Sequence, residues 1–304
     1  MTPPRVSAVV VSWNARDELR ACLASLEAES ASLPLEVLVV DNASDDGSPA
    51  LVRDAFPSVR LIEPGRNLGF AAGCNRGLAE ARAPFALLLN PDAELRPGAL
   101  GELLRALEAR PDAAVVGPRT LNADGTPQLS WGPELSPLSE WRQRRRVRGL
   151  RARRPSVLAA VEAESRLPAE PDWVSGACLL ARAEALDAVG RFDEGYFLYE
   201  EDVDLCRRLR AAGWKVLYRP DACVVHRLGR SATRAPHRVR LDYHRSHLRY
   251  YRLQRGAADR ALLRALVLGE GMGRWLGALG PGAERRAARR TAADTVALAL
   301  RGGG

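Results

Sequence analysis

Short apolar runs alternate with amphipathic stretches over the first 120 residues of the chain. The runs at 6–13, 35–40 and 85–89 are too short for buried helices and end at polar residues, which is typical of buried strands. The stretch between the first two runs repeats its apolar residues at helical spacing: Leu19, Cys22, Leu23 and Leu26. Asn14 precedes this stretch and is expected to cap the helix. The alternation predicts an α/β fold, a mixed and mostly parallel sheet flanked by helices.

The pattern changes twice further along the chain. The segment from about 120 to 171 has little periodicity in its apolar residues and many arginines and prolines, so it is expected to be irregular. Helical spacing returns at Val203, Leu205, Cys206 and Leu209, and the chain beyond Arg227 has a helical, basic pattern. We therefore predict an α/β domain over 1–228 and a basic helical extension over 229–304.

Polar side chains follow the predicted strands at the point where each strand ends. Ser12 to Asn14 stand at the end of the run 6–13, Asp41 and Asn42 follow the run 35–40, and Asn90 to Asp92 follow the run 85–89. In open α/β sheets, ligands bind in the crevice at the carboxyl ends of the strands. These three groups therefore predict one ligand-binding crevice.

Positive charge is concentrated in two regions. The net charge is +8, but eight arginines and no acid lie between Arg142 and Arg154, and 17 arginines face 5 acids from Arg227 onward. Such blocks favour local contact with a polyanion or an anionic membrane surface. A solvated arginine-rich face explains them equally well, and both interpretations remain open.

Composition excludes some classes of protein. No apolar run approaches the roughly 20 residues of a membrane helix, and the first residues lack the pattern of a signal peptide. The five cysteines are scattered and odd in number, which indicates reduced thiols rather than a disulfide framework or a zinc site. We expect a cytoplasmic protein, with peripheral attachment to the inner face of the membrane as a hypothesis.

Seven segments, taken in order, resemble glycosyltransferase family 2, the inverting enzymes with a GT-A fold. They are residues 9–14 (VVVSWN), 39–48 (VVDNASDDGS), 67–75 (NLGFAAGCN), 88–92 (LLNPD), 174–177 (VSGA), 200–205 (EEDVDL) and 225–226 (VH). The resemblance covers roughly residues 6–229. The segments 67–71 and 90–92 are most similar to bacterial rhamnosyltransferases.

The resemblance implies a nucleotide-diphosphate-sugar donor and a set of residues that hold it. These residues are Ser12, Asn14, Asp41, Arg66, Asn67, Gly73, Asp92, Ser175 and Gly176. Asp41 also suits this role by its chemistry, because a carboxylate at a strand end accepts hydrogen bonds from a base or ribose. The alternative for Asp41 is a loop-capping Asp-Asn turn.

A divalent cation, Mg²⁺ or Mn²⁺, is the implied cofactor. Asp92 corresponds to the last acid of the family's DxD motif, and the family places a metal-contacting histidine where His226 stands. Asn90 replaces the first acid, so we expect weak intrinsic metal affinity that depends on bound donor; Glu94 is a candidate helper. The alternatives are a strand-ending turn for Asn90 and Asp92 and a packed core residue for His226.

Catalysis by direct displacement needs a single carboxylate to accept the proton of the acceptor hydroxyl. By resemblance that base is Asp202, with Glu201 orienting it or binding the acceptor; a helix-capping acidic cluster is the alternative. Trp173 and Trp131 are candidate acceptor contacts, and arginines of 142–154 are candidates for the phosphates of a lipid-linked acceptor.

The predicted function is therefore inverting transfer of a sugar, with rhamnose as a candidate, to a hydroxyl of a glycan or polyprenyl-linked glycan in cell-envelope or exopolysaccharide biosynthesis. A sugar-nucleotide nucleotidyltransferase is one alternative, although the segment 12–16 lacks the glycine-rich phosphate loop that it needs. Others are an inactive nucleotide-sugar-binding protein and a nucleic-acid-binding protein suggested by the pI of 9.7. Basic residues avoid the predicted crevice and no nucleic-acid-binding motif occurs, so we expect no nucleic-acid partner.

Overall fold

A computed structural model describes residues 3–227, 236–280 and 282–301. Within these ranges, ten strands pair into two sheets. They are β1 (Val6–Ser12), β2 (Leu35–Asp41), β3 (Arg60–Ile62), β4 (Phe85–Leu89), β5 (Ala93–Leu95), β6 (Ala113–Leu121), β7 (Trp131–Gly132), β8 (Trp173–Val174), β9 (Cys178–Arg182) and β10 (Lys215–His226).

Helices connect the strands and form the C-terminal part of the described chain. They are α1 (Arg16–Ser30), α2 (Ser48–Ala55), α3 (Phe70–Leu78), α4 (Ala99–Glu108), α5 (Pro137–Arg151), α6 (Pro155–Ser165), α7 (Ala183–Ala188), α8 (Glu201–Ala211), α9 (Pro236–Gln254), α10 (Ala257–Gly277) and α11 (Ala283–Arg301).

The large sheet has the strand order β3-β2-β1-β4-β9-β6-β10-β5, and the short β7 and β8 pair separately. β1 lies parallel to both β2 and β4, and its register places Ser12 opposite Asp41. β9 runs antiparallel between β4 and β6, and β5 runs antiparallel to β10. The predicted mixed, mostly parallel α/β fold is confirmed, and the carboxyl ends of β1, β2 and β4 meet at one edge.

Both faces of the sheet are buried, as the continuous apolar runs predicted. Alternate residues of β1 face opposite sides: Val10 belongs to a core that includes residues of α1, α2 and α4, and Val9 belongs to a core that includes residues of α3, α7 and α8. Leu248 and Tyr251 of α9 and Leu263 of α10 belong to the same core as Val9. The C-terminal helices therefore contribute to the core on this side of the sheet. The predicted division at 228/229 lies at residues 228–235, outside the described residues, and stays a prediction.

Two local predictions are wrong. Half of the segment 120–171 is helical, in α5 and α6, because Ser136 and Ser139 form a capping box and the arginines that follow are good helix formers. These two helices are mostly polar and exposed, so their sequences lack the apolar periodicity from which helices are predicted. Asn14 is not the cap of α1: its φ is 52°, and the cap position is Ala15.

Candidate active site

The predicted nucleoside-binding residues begin where β1 and β2 end. Ser12 and Asp41 lie side by side in register, and both side chains are buried. Asp41 Oδ2 accepts a hydrogen bond from the backbone N–H of Ser44 at 2.8 Å. Asp41 Oδ1 and Ser12 Oγ have no hydrogen-bond partner within the described residues. A buried polar atom without a partner is costly, so this pair suits the polar edge of a ligand.

Asn14 organises the turn beside this pair. Its side-chain oxygen accepts a hydrogen bond from the backbone N–H of Asp45 at 2.8 Å, and its own N–H donates to Ser44 Oγ at 2.9 Å. Arg66 is exposed on the loop before α3, and Asn67 closes that loop by accepting the N–H of Gly69 at 2.9 Å. The side chains of Asn14 and Asn67 thus hold the backbone of the two loops that border the predicted crevice.

The N-terminus of α3 is fastened to the end of β2. Asn42 donates through Nδ2 to the carbonyl of Gly69 at 3.0 Å. A Cβ on Gly73 would lie 2.7 Å from Val11 Cγ1, so this glycine lets α3 pack closely on the sheet. Gly73 faces β1, and its predicted contact with the donor stays a prediction.

The candidate metal site lies between the end of β4 and the end of β10. His226 Nε2 lies 3.2 Å from Asp92 Oδ1, and both side chains are mostly buried. Asn90 Nδ2 lies 3.4 Å from the same nitrogen. Glu94 pairs with Arg227 at 2.6 Å and is therefore engaged in an ion pair.

Gln128 fixes the orientation of His226. Its Nε2 donates to the carbonyl oxygen of His226 at 2.6 Å and to Asn122 Oδ1 at 2.9 Å, which orients the amide. Gln128 Oε1 then faces His226 Nδ1 at 3.1 Å, so Nδ1 carries the proton. In the neutral ring, the lone pair of Nε2 points at the carboxylate of Asp92.

An imidazole lone pair beside a carboxylate is a donor set that fits a divalent cation, with Gln128 as the outer partner that orients the imidazole. Within the described ranges, no group of three or more His, Cys, Asp or Glu side chains could hold a metal ion. Asp92 and His226 are the two candidate ligands, and magnesium-type sites rarely take all of their ligands from the protein.

The two candidate catalytic acids open α8. Asp202 accepts the N–H of Gly176 at 2.7 Å through Oδ2 and that of Val203 at 2.8 Å through Oδ1. Burial raises the pKa of Asp202 to about 6, against the opposing effect of the Gly176 N–H. Burial and then the charge of Asp202 raise the pKa of the neighbouring Glu201 well above its usual value. The two backbone N–H donors favour the ionised form of Asp202, which makes it the candidate base of the pair.

The turn before these acids has unusual backbone geometry. Tyr199 and Glu200 are consecutive non-glycine residues in the left-handed region, with φ of 71° and 66°. Such conformations cost free energy and persist only where the surroundings impose them. Burial raises the pKa of Tyr199, and the carboxylates of Glu201 and Asp92 raise it further, so its hydroxyl lies within electrostatic range of both carboxylates.

A chain of hydrogen bonds and contacts joins the candidate catalytic acids to the candidate metal site. Gly176 binds Asp202, and the next residue, Ala177, accepts the backbone N–H of Asn90 at 2.9 Å. Asn90 in turn contacts His226. The N-terminus of α3 completes the arrangement, because the N–H of Phe70 donates to the carbonyl of Phe197 in the loop before α8, at 2.7 Å.

The acceptor-side candidates lie on β7 and β8. Trp131 is half-buried and stacks on Tyr218 with ring centroids 4.3 Å apart. Trp173 is buried in the core and donates its indole N–H to the carbonyl of Pro133 at 2.9 Å, which is the placement of a packing residue. Ser175 donates its N–H to Ser130 at 2.8 Å and accepts the N–H of Ala177, next to the site.

Sequence reasoning missed Gln128 and Tyr199. Gln128 lies in the segment that was expected to be irregular, far from any of the motifs. Tyr199 directly precedes the acidic motif 200–205, and this position is the one feature of the sequence that points to a role in the site.

Comparison with known proteins identifies the family. The sequence model described as "Glycosyl transferase family 2" matches residues 7–163. The chain belongs to glycosyl transferase family 2. It is a glycosyltransferase, and the family match decides against the nucleotidyltransferase alternative.

Individual relatives agree with this family assignment. The chain is 35% identical over 251 residues to the N-acetylglucosaminyl-diphospho-decaprenol L-rhamnosyltransferase of Mycobacterium tuberculosis, which covers 78% of this chain and 81% of that protein. The mannosyltransferase PcManGT of Pyrobaculum calidifontis, in complex with GDP-Man and Mn²⁺, matches with a TM-score of 0.58 and 18% identity over 99% of this chain and 88% of that one. S. aureus TarS in complex with UDP-GlcNAc matches with a TM-score of 0.54 and 17% identity over 97% and 81%. The structural matches confirm the GT-A fold of this family 2 member.

Proposed function

We propose that this glycosyltransferase moves rhamnose from a nucleotide-diphosphate donor to a hydroxyl of a lipid-linked diphosphate glycan, with inversion at the anomeric carbon. The observation that carries the proposal is the 35% identity over 78% of the chain to a rhamnosyltransferase whose name specifies an N-acetylglucosaminyl-diphospho-decaprenol acceptor. The seven motifs that predicted the family supply the residues of the proposed site.

At the donor end, Asp41 and Ser12 supply unpartnered buried acceptors for the nucleoside. Asn14 and Asn67 support the backbone around it, and Arg66 is exposed at the rim. Asp92 and His226 would hold a divalent cation, which neutralises charge on the departing diphosphate. Ser175 and Gly176 border the sugar, where small residues leave room for a pyranose ring.

Asp202 acts as the general base. The acceptor oxygen forms a bond to the anomeric carbon, the bond from that carbon to the diphosphate oxygen breaks, and the acceptor proton moves to the Asp202 carboxylate. The backbone donors of Gly176 and Val203 orient this carboxylate, and the N-terminus of α8 favours its ionised form. Burial and then the charge of Asp202 raise the pKa of Glu201, which favours its protonated form, a hydrogen-bond donor.

A groove of about 590 Å³ borders β7 and α5 and is the candidate site for the acceptor. Its lining combines apolar Leu129, Trp131 and Leu138 with Arg142 and Arg146. This combination fits an amphiphilic diphosphate, because guanidinium groups bind phosphate oxygens in a bidentate manner.

Peripheral contact with an anionic bilayer completes the proposal. One face of α10 exposes Leu262, Leu266, Met272 and Leu276, each about half exposed, and we call this face the α10 stripe. Exposed Arg260 lies on the same helix. An apolar face combined with arginine on another face is typical of helices that lie in a lipid interface. None of the described helices is long and apolar enough to cross a membrane.

The test of the function is transfer from dTDP-, UDP- and GDP-sugars to a synthetic polyprenyl-diphosphate glycan, with the Asp202→Asn variant as the discriminating protein. The variant should keep donor affinity, measured by calorimetry, and lose transfer by about 10²-fold or more, because proton abstraction is lost while the donor contacts remain. Retained transfer in this variant would disprove the role of Asp202. No turnover of any donor by the unmodified protein would disprove the function itself.

A further inference from the structure

Helix α9 runs along the loop that presents the catalytic acids. Arg249 binds Asp193 in a bidentate manner, with the shorter contact at 2.6 Å. Ser246 Oγ donates to the carbonyl of Leu198 at 2.7 Å. These contacts hold the loop 192–200 on one side of the catalytic turn.

His247 lies at the centre of this contact and is 1% exposed. Its Nδ1 lies 2.9 Å from Glu200 Oε1, and its Nε2 lies 3.0 Å from Glu140 Oε2 on α5. The hydroxyl of Tyr251 donates to the other oxygen of Glu140, and the ring of Tyr243 stacks on the imidazole with centroids 5.4 Å apart. One imidazole thus bridges two mostly buried carboxylates from different parts of the fold.

Glu200 and Glu140 lie next to different parts of the proposed site. Glu200 is one of the two left-handed residues and directly precedes Glu201 and Asp202, so its side-chain contact fixes the backbone that aims the base. Glu140 lies on α5 between Leu138 and Arg142, which line the acceptor groove. The bridge therefore connects the base to the wall of the groove.

We propose that His247 is a positioning residue for transfer: as an imidazolium between Glu200 and Glu140 it holds the left-handed turn and so sets the position of Asp202 relative to the acceptor groove. This inference rests on the proposed role of Asp202 as the base. It adds a residue of the C-terminal helices to the machinery of the reaction, and that residue does not touch the substrate.

The electrostatics agree with the geometry. Burial acts to lower the pKa of His247, but the contacts with Glu140 and Glu200 outweigh it and raise the pKa from 6.5 to about 9. The remaining charged and titratable groups nearby are Tyr243, His244 and Tyr251 on the same helix, Arg144 on α5, and Glu270 of α10 beyond His244.

Because the folded pKa lies above the ordinary value, the stabilisation by the bridge is complete below about pH 6.5 and is lost as the pH rises through about 9. Deprotonation of His247 would remove the cation that faces Glu200, while Glu140 would keep its ion pair with Arg144 at 3.2 Å. Turnover should therefore have an alkaline limb near pH 9 that belongs to His247.

The experiment compares three variants with the unmodified protein: His247→Gln, Glu140→Gln and the matched control His244→Gln. His244 is also buried on α9 but faces Glu270 of α10, at 3.8 Å, instead of the catalytic turn. The measurements are kcat, the KM for the donor, and the pH profile of kcat.

His247→Gln should lower kcat by roughly 10- to 100-fold and change the donor KM by less than about 2-fold, because a displaced base costs rate more than binding. His244→Gln should keep kcat within about 2-fold, since its partner lies away from the loop. Glu140→Gln removes one anion beside the imidazolium and should move the alkaline limb to lower pH by about 1 unit.

The alkaline limb of Glu140→Gln tests the positioning role even if His247→Gln fails to fold. If His247 had only a structural role, Glu140→Gln would not shift the pH of this limb. An unchanged limb in Glu140→Gln, or an unchanged kcat in a folded His247→Gln, would overturn the positioning role. Asp202→Asn separates the base role of Asp202 from the positioning role of His247. If Asp202→Asn abolishes transfer while His247→Gln and Glu140→Gln behave as the unmodified protein, only the positioning role fails. If Asp202→Asn retains transfer, the base assignment fails.

Discussion

Gln128 and His226 are joined by two hydrogen-bonding contacts, one to the ring and one to the backbone. Gln128 Oε1 lies 3.1 Å from His226 Nδ1, and Gln128 Nε2 donates to the carbonyl oxygen of His226 at 2.6 Å. The ring orientation that aims Nε2 at Asp92 therefore depends on a residue 98 positions away in the chain.

Gln128→Ala should consequently weaken binding of Mn²⁺ in the presence of donor by about 10- to 100-fold, the usual effect of losing an outer partner of a ligand histidine. Titration calorimetry with Mn²⁺ and the donor nucleotide measures it. Gln143→Ala on α5 removes the same side chain near Gly132 and should leave metal binding unchanged. Equal metal affinity in both variants would contradict the role of Gln128.

The pH dependence of transfer should report Asp202 on its acid side. Burial raises the pKa of this carboxyl to about 6, and only the ionised form accepts a proton, so kcat should increase as the pH rises through about 6. Asp202→Glu, if active, should have a displaced acid limb, because its carboxylate moves away from the N–H of Gly176. A wild-type kcat that is flat across this pH range would exclude Asp202 as the titrating base.

Gly73→Ala separates packing from donor binding. The added Cβ would meet Val11 Cγ1 at 2.7 Å, so we expect a loss of about 1–3 kcal/mol in the free energy of unfolding. Gly101→Ala in α4 is the control, because nothing lies within 4 Å of its added Cβ. Urea denaturation measures both. If Gly73→Ala keeps its stability and loses donor affinity instead, Gly73 is a donor contact.

The α10 stripe should bind anionic vesicles. Replacing Leu262 and Leu266 by glutamate should reduce co-sedimentation with phosphatidylglycerol vesicles by about 10-fold or more, since both burial and charge become unfavourable. Leu167→Glu is a suitable control, because Leu167 is 63% exposed but lies after α6. Binding that is equal in the double variant and the control, or absent from the unmodified protein, would exclude the stripe as a membrane contact.

The extent of prediction from sequence differs between the parts of the site. Asp92, Asp202 and His226 were found because their motifs end strands or begin a helix in a family-typical order. No sequence pattern marks Gln128 or His247 as functional. Each is one polar residue among others in a segment without a motif, and each contacts a side chain far away in the chain. The helices α5 and α6 were missed because a largely exposed helix needs no apolar stripe.

The sequence by itself determined the α/β class, the family, and the acids and histidine that carry the proposed chemistry, because local hydrophobic period and short motifs are encoded by adjacent residues. Only the tertiary structure decided which groups hold those residues in place. The register of β1 and β2 pairs Ser12 with Asp41, and the packing of α9 brings His247 between Glu140 and Glu200. Such contacts join residues distant in the chain, and their geometry follows from packing the whole core, which no local pattern records.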